Sequence, residues 1–128
     1  MKKLKGILAL GLALGIIASV GTSSFAAYSR STYINGAYAF ANSFCYPYEG
    51  RASTTYYGSG LVSLNTVYTY VNTKTLKTGT MVRSDAANRR EVSFRLISPS
   101  NCRSVNITSS HLVSTGGQTW NVTTSNDW

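Results

Sequence analysis

Apolar and polar residues alternate along much of the chain, with the two-residue period that is typical of half-buried β-strands. The longest run covers residues 61–72, where Val62, Leu64, Tyr68 and Tyr70 fall on one face. Twelve residues is long for one strand, and we therefore expect a bend or bulge near Asn65–Thr66. Shorter strands are predicted over 53–57, 80–85, 90–97, 103–113 and 118–124.

Turn-forming residues separate these runs at intervals of about ten residues. Residues 28–44 are ambiguous, since either a strand or a short helix could be drawn through 37–42, after an Asn35-Gly36 turn signal. The composition after residue 26 is rich in Ser, Thr, Asn, Tyr, Val and Gly, which favours strands and turns over helices. The pattern predicts an all-β fold, a small antiparallel β-sandwich or barrel of six to seven strands.

The first 26 residues have the pattern of a secretory signal peptide rather than of structure. Lys2, Lys3 and Lys5 precede an uncharged apolar run over 6–20. That run is shorter than the roughly 20 residues of a membrane-spanning helix. Small residues follow it, and cleavage after Ala26 fits them. We expect a bacterial-style signal peptide at 1–26, one secreted domain at 27–128 and no transmembrane segment in that domain; an uncleaved N-terminal anchor is the alternative.

Charge and cysteine content describe the domain further. Three of the twelve basic residues lie before residue 27, so nine remain against four acids, a formal charge of +5. Cys45 and Cys102 are the only cysteines. In an oxidising compartment an even pair predicts a disulfide. Closing a loop of this length would stabilise the domain by about 4 kcal/mol in the chain-entropy model. A reactive thiol pair is the alternative, but the spacing differs from Cys-x-x-Cys.

Tyrosines and basic residues occupy different parts of the chain. All nine tyrosines lie between Tyr28 and Tyr70, and seven of the nine basic residues after residue 26 lie in 74–103. Tyrosine side chains suit either cross-strand packing or a recognition surface, and clustered arginines attract anionic polymers or simply form a solvated face. The candidate binding residues are Tyr46, Tyr48, Tyr56, Tyr57, Arg83, Arg89, Arg90, Arg95 and Arg103.

The sequence gives little support to catalysis or metal binding. His111 is the only histidine, and a hydrolase would need it as a base with Asp85 orienting it, but no spacing selects a serine nucleophile. Glu49 and Glu91 are the carboxylates that could form a glycosidase pair, although both fit solvated charges near arginines. One histidine and four dispersed acids are too few to predict a metal site, and no cofactor is expected.

These observations predict a secreted, non-enzymatic domain that binds a cell-surface or envelope component. The expected partner is an anionic envelope polymer, a glycan or a surface protein. Nucleic acid is disfavoured, because single-strand binding grooves interleave aromatic and basic residues, and here the two sets are separate in sequence. The alternative is a bacteriocin-like antibacterial protein that acts on anionic envelopes, which small size and positive charge would also suit.

Overall fold

The structure, a computed structural model, describes residues 27–128, so the predicted signal peptide lies outside the described residues. Residues 27–128 form eight strands and no helix, and hence no helix long and apolar enough to cross a membrane. The strands are β1 (Ser29–Ile34), β2 (Ala37–Tyr46), β3 (Glu49–Tyr56), β4 (Leu61–Asn72), β5 (Thr78–Ala87), β6 (Glu91–Ile97), β7 (Cys102–Thr115) and β8 (Gln118–Asp127).

The strands form two antiparallel sheets of four strands each. The first sheet has the order β1-β2-β3-β6, and the second has the order β5-β4-β7-β8. The sheets pack face to face, mainly through β2 and β3 against β7 and β8, which makes a sandwich. The all-β prediction is confirmed. The number of strands, predicted as six or seven, is eight.

The eighth strand comes from the segment that was ambiguous in the sequence. Residues 28–44 form the β1–β2 hairpin, and Asn35 and Gly36 take φ values of 51° and 79° at its turn. Positive φ at both positions is typical of two-residue Asn-Gly hairpins. The helix alternative for 37–42 is wrong, because side chains in β2 alternate strictly between the core and the outside.

One irregularity changes which side chains of β7 face the core. The pairing of β4 with β7 shifts between Thr69 and Tyr70, not near Asn65–Thr66 as expected. Asn106 pairs with Thr69 and Ser104 with Tyr70, so Val105 is the extra residue of a β-bulge. Val105 was predicted to face inward but is 38% exposed, whereas Ser104 is buried.

Because consecutive strands run in opposite directions, the turns gather at two ends of the sandwich. We call one the glycine end, formed by residues 35–36, 57–60, 88–90 and 116–117. We call the other the lysine end, formed by residues 47–48, 73–77 and 98–101. Backbone hydrogen bonds tie turns together at each end, for example Tyr56 to the Arg90 carbonyl and Thr73 to the Asn101 carbonyl.

The core between the sheets is partly apolar and partly hydroxylated. Its apolar cluster contains Tyr56, Leu64, Tyr68, Leu96 and Ile107, each at most 2% exposed. Gly50 lies against the rings and methyls of this cluster, since a Cβ there would come within 2.8 Å of both Tyr68 and Ile107. This close approach lets β3 pack directly on the second sheet.

Six buried polar side chains, which we call the hydroxyl–histidine network, join the two sheets. They are Ser43, Thr54, Thr66, Ser109, His111 and Thr124. The Ser43 hydroxyl lies 2.7 Å from those of both Ser109 and Thr124, and Thr66 lies 3.0 Å from Ser109. The His111 ring contacts Thr54 through Nδ1 at 2.8 Å and Thr124 through Nε2 at 2.7 Å. No buried side-chain nitrogen or oxygen among residues 27–128 lacks a partner.

His111 is neutral in this network. Thr54 donates its one hydroxyl hydrogen to the Ser63 carbonyl, so its oxygen is the acceptor in the contact with Nδ1 of His111. Burial lowers the pKa of His111 to about 3, against a smaller opposing effect of a backbone hydrogen bond with Ser53. The neutral tautomer is therefore the form that fits the folded core.

The predicted Cys45–Cys102 disulfide is absent, and both cysteines are free and buried. Cys45 lies in β2 of the first sheet and Cys102 at the start of β7 in the second. Desolvation by burial raises the pKa of Cys45. An even cysteine count cannot show whether two side chains meet the strict geometry of a bridge.

Acidification should destabilise the protein through His111. The unfolded chain takes up a proton near pH 6.5 and the folded chain only near pH 3, so stability is fully present above pH 6.5 and falls as the pH drops. Linkage gives a loss of about 2 kcal/mol in the free energy of unfolding between pH 7 and pH 5. Urea unfolding at these pH values measures it.

His111→Gln is the control, because glutamine does not titrate. It should be less stable at pH 7 but should lose the pH dependence between 7 and 5. Equal stability of the natural protein at the two pH values would contradict a neutral, buried His111.

Candidate functional site

The outer face of the first sheet carries most of the exposed aromatic side chains. In β2, Ala39, Ala41, Ser43 and Cys45 face the core, so the side chains between them face outward. Pairing with β1 and β3 adds tyrosines beside them. We call this set the aromatic strip. Its members are Tyr28, Tyr33, Tyr38, Phe40, Phe44, Tyr46 and Tyr57.

The rings of the aromatic strip form two contacting groups. Tyr38 is the centre of the first, with ring centroids 5.4 Å from Tyr33, 6.4 Å from Phe40 and 6.3 Å from Tyr57. In the second, Tyr28 and Phe44 are 5.5 Å apart. The eight-residue rise along β2 from Tyr38 to Tyr46 makes the strip about 27 Å long.

A polar row crosses the sheet between the two aromatic groups. The strand register aligns Ser29, Asn42, Ser53 and Ser93 across all four strands. Ser53 donates a hydrogen bond of 3.0 Å to the Asn42 side chain. The outer face thus has aromatic rings towards both ends and hydrogen-bonding groups in the middle.

Arginines lie over both ends of the aromatic strip. The Arg90 guanidinium is 5.3 Å from the Tyr57 ring centre, and Arg51 is 5.3 Å from that of Tyr46. These are cation–π distances. Tyr57 and Arg90 thus meet in the fold although they are far apart along the chain.

Glu49 connects two of the arginines at the Tyr46 end. It accepts hydrogen bonds from Arg95 and, at 3.1 Å, from Arg51. These two guanidinium groups, Arg95 foremost, lower the pKa of Glu49 to about 2. Two positive charges and one negative charge remain on this part of the face, so its local charge is positive.

A cavity of about 610 Å³ opens at the glycine end beside Tyr57. It is lined by the turn 57–60 and by Asn88, Arg89 and Arg90. Arg89 is already engaged, since it donates to the Asp85 carboxylate at 2.8 Å and to the Glu91 carbonyl at 2.9 Å. The Thr115 hydroxyl donates to the Ser59 carbonyl at 2.6 Å and holds the turn in place.

The predicted candidate residues are divided by the fold. Tyr46 and Tyr57 belong to the aromatic strip, Arg95 lies at its Tyr46 end, and Arg89 and Arg90 line the glycine-end cavity. Tyr48 and Arg103 line a second cavity of about 340 Å³ at the lysine end.

The fold separates the remaining candidates. Tyr56 lies in the core, since it is 2% exposed and its hydroxyl donates to the Ile34 carbonyl. The arginines also do not form one face. Arg95 is in the first sheet, while Arg83 pairs with Thr66 and Arg103 with Val71 in the second. Thr66 and Ser104 point into the core, so alternation turns Arg83 and Arg103 to opposite sides of that sheet.

Sequence reasoning missed Tyr28, Tyr33, Tyr38, Phe40 and Phe44 as surface residues. The signal was present as the alternation of Tyr38, Phe40, Phe44 and Tyr46 with small residues in 37–46. Larger residues of a strand normally face the core, so this alternation by itself favours the opposite orientation. Here the small residues Ala39, Ala41 and Ser43 face inward, since close sheet packing leaves little room there.

The groups considered for catalysis do not come together. His111 is fully buried, and Leu64 lies between it and Asp85 in the register of the second sheet. Glu49 pairs with Ile97 and Glu91 with Thr55, which places the two carboxylates near opposite ends of β6. Among residues 27–128 there is no group of three or more His, Cys, Asp or Glu side chains that could hold a metal ion.

Comparisons of the chain with protein-family models, with curated proteins and with solved structures found no match.

The turn between β4 and β5 contains a residue in an unfavourable conformation. Among residues 27–128, three residues other than glycine have positive φ, and two of them are asparagines, Asn35 and Asn101. The third is Leu76, with a φ of 59° and 77% of its surface exposed. The left-handed backbone conformation is unfavourable for leucine by about 1–2 kcal/mol, whereas asparagine tolerates it better. Nothing in the packing of the turn compensates, because the side chain is in solvent.

Leu76→Asn should therefore stabilise the fold by up to about 1 kcal/mol. Leu76→Ala is the matched control, since it removes the apolar side chain but keeps a Cβ in the left-handed region, and should give little gain. Thermal and urea unfolding of the three proteins measure the difference. An asparagine variant no more stable than the alanine variant would show that the turn is not strained.

Proposed function

We propose that this protein is exported and binds a glycan polymer of a cell surface through the aromatic strip, without chemically altering it. The observation that carries the proposal is the outward row of aromatic rings on the first sheet, interrupted by the polar row at Asn42 and Ser53. Sugar rings have apolar C–H faces and polar hydroxyl rims. Tyrosine and phenylalanine can stack on the former, and amide and hydroxyl groups can bond to the latter.

The dimensions of the face support a polymeric ligand rather than a single sugar. A strip of about 27 Å is longer than one or two sugar rings. The arginines over Tyr46 and Tyr57 add positive charge at both ends of the strip. This favours a polymer with carboxylate or phosphate groups, and the formal charge of +5 on residues 27–128 would assist its approach.

Export is supported by the leader-like pattern of residues 1–26 and is tested together with binding. The full chain is expressed in a secreting bacterial host, and the protein in the medium is identified by mass, which also gives its N-terminus. It is then mixed with live bacterial cells and, separately, with isolated cell walls. After centrifugation, the bound protein and the surviving colonies are counted.

Two tyrosine variants should separate the strip from the rest of the surface. Tyr33→Ala removes a ring that is 75% exposed within the strip, and we expect it to weaken binding to cell walls by about five- to thirty-fold. Tyr48→Ala is the matched control, because Tyr48 is similarly exposed, at 63%, but lies outside the strip at the lysine end. It should bind cell walls as the natural protein does.

Equal losses in both variants, or none in Tyr33→Ala, would contradict a role for the strip. Equal binding to single-stranded DNA would contradict a preference for glycans. Loss of colonies would instead favour the antibacterial alternative.

A further inference from the structure

The β4–β5 turn projects an apolar side chain between two lysines. Leu76 is the most exposed large apolar side chain of residues 27–128. Lys74 and Lys77 flank it and are exposed. The turn itself is well defined, because the Asn72 side chain accepts hydrogen bonds from the Lys74 and Thr75 amides, and the Leu76 amide donates to the Asn72 carbonyl at 2.8 Å. The leucine is thus held outward by an ordered backbone.

This placement is unfavourable in the isolated domain on two counts. The leucine exposes its apolar surface to water, and its φ of 59° suits asparagine or glycine better. Asn35 and Asn101 occupy the equivalent left-handed positions in two other turns. A leucine at the tip makes physical sense if its side chain is transferred to an apolar medium when the protein binds.

The charged residues around the turn indicate that the surface of this apolar medium is negatively charged. Tyr48 and Arg103 line the neighbouring cavity together with Thr73, the first residue of the turn. No acidic residue occurs in the three turns of the lysine end. Glu49, just beyond the first of them, is engaged by Arg51 and Arg95, and Asp127, where β8 reaches the lysine end, is two strands away from β4. The three turns of the lysine end therefore carry only positive charge, from Lys74 and Lys77 beside the apolar tip.

We propose that the lysine end docks on an anionic lipid surface, with Leu76 inserted among the acyl chains and Lys74, Lys77 and Arg103 at the headgroups. Exposed leucine with flanking lysines is the composition of interfacial membrane anchors, and a tyrosine such as Tyr48 suits the headgroup layer. Each lysine near an anionic surface strengthens binding about five-fold, and burial of a leucine about ten-fold or more. The inference concerns a different surface from the aromatic strip.

Docking by this end would leave the proposed glycan site accessible. The strip runs along β2, from the glycine end towards the lysine end. A lipid surface in contact with the lysine end would be roughly perpendicular to the strands. The outer face of the first sheet would therefore project away from the lipid into solution. The two surfaces can be tested independently, since Tyr33 belongs only to the first and Leu76 only to the second.

The experiment is co-sedimentation of the protein, as a secreting host releases it, with vesicles of phosphatidylcholine alone or mixed equally with phosphatidylglycerol. Protein whose mass shows that residues 1–26 have been removed is used for every variant. The protein should bind the mixed vesicles and not phosphatidylcholine. Leu76→Asn should weaken binding about ten-fold while the fold becomes no less stable. Lys74→Gln with Lys77→Gln should weaken it about twenty-fold.

Two controls match these variants. Val82→Thr removes an apolar side chain that is 48% exposed in the middle of β5. Arg30→Gln with Arg83→Gln removes two positive charges away from the lysine end. Both should bind nearly as the natural protein does. The proposal is overturned if the mixed vesicles do not retain the protein, if Leu76→Asn binds unchanged, or if the arginine control loses as much affinity as the lysine pair. The last comparison uses vesicles that contain membrane proteins but no anionic lipid. If these vesicles bind the protein, its partner is a protein receptor and the proposal is overturned.

Discussion

The hydroxyl–histidine network is the constraint on which the sandwich depends. An apolar contact tolerates sliding, but hydrogen bonds between Ser43 and Ser109, or between Thr54 and His111, are made only when the two sheets have one relative position. The network is fully buried and fully partnered, so a shift would leave several polar groups unpaired in the core at once. Because small hydroxyl and alanine side chains fill the space beneath β2, its aromatic residues lie on the outside. The candidate binding face is in this sense a product of how the core is built.

The extent to which the sequence predicts this structure differs between its parts. Strands such as β4 and β6 are predictable, because large apolar residues on their inner faces alternate with polar ones. The network is not, since a buried serine or threonine looks like a solvated one until its partner on the other sheet is known. Val105 shows a second limit, as one bulge residue reverses the inward and outward assignment on either side of it. The cysteine pair shows a third, because a count of thiols contains no geometry.

The candidate site illustrates how sequence distance misleads. Tyr57 and Arg90 are far apart along the chain, yet β3 pairs with β6 and brings the turns at the glycine end together. Individual residues, such as Tyr57 and Arg90, were identifiable from composition and exposure arguments. Their association was not, because it follows from the strand order β1-β2-β3-β6, in which β6 returns to the first sheet after two strands of the second.

That strand order also has a consequence for how the chain folds. The central pair of the second sheet joins β4 to β7, which lies some thirty residues further along, and the sheet is completed by β8 at the end of the chain. Most native contacts are therefore distant in sequence, and such topologies fold slowly, on a scale of milliseconds to seconds. Before residues near 115 have been synthesised, β4 lacks β7, its main partner. The side chains that β7 contributes to the hydroxyl–histidine network are also absent. These strands should accordingly remain unfolded during synthesis and fold only when β7 and β8 have emerged.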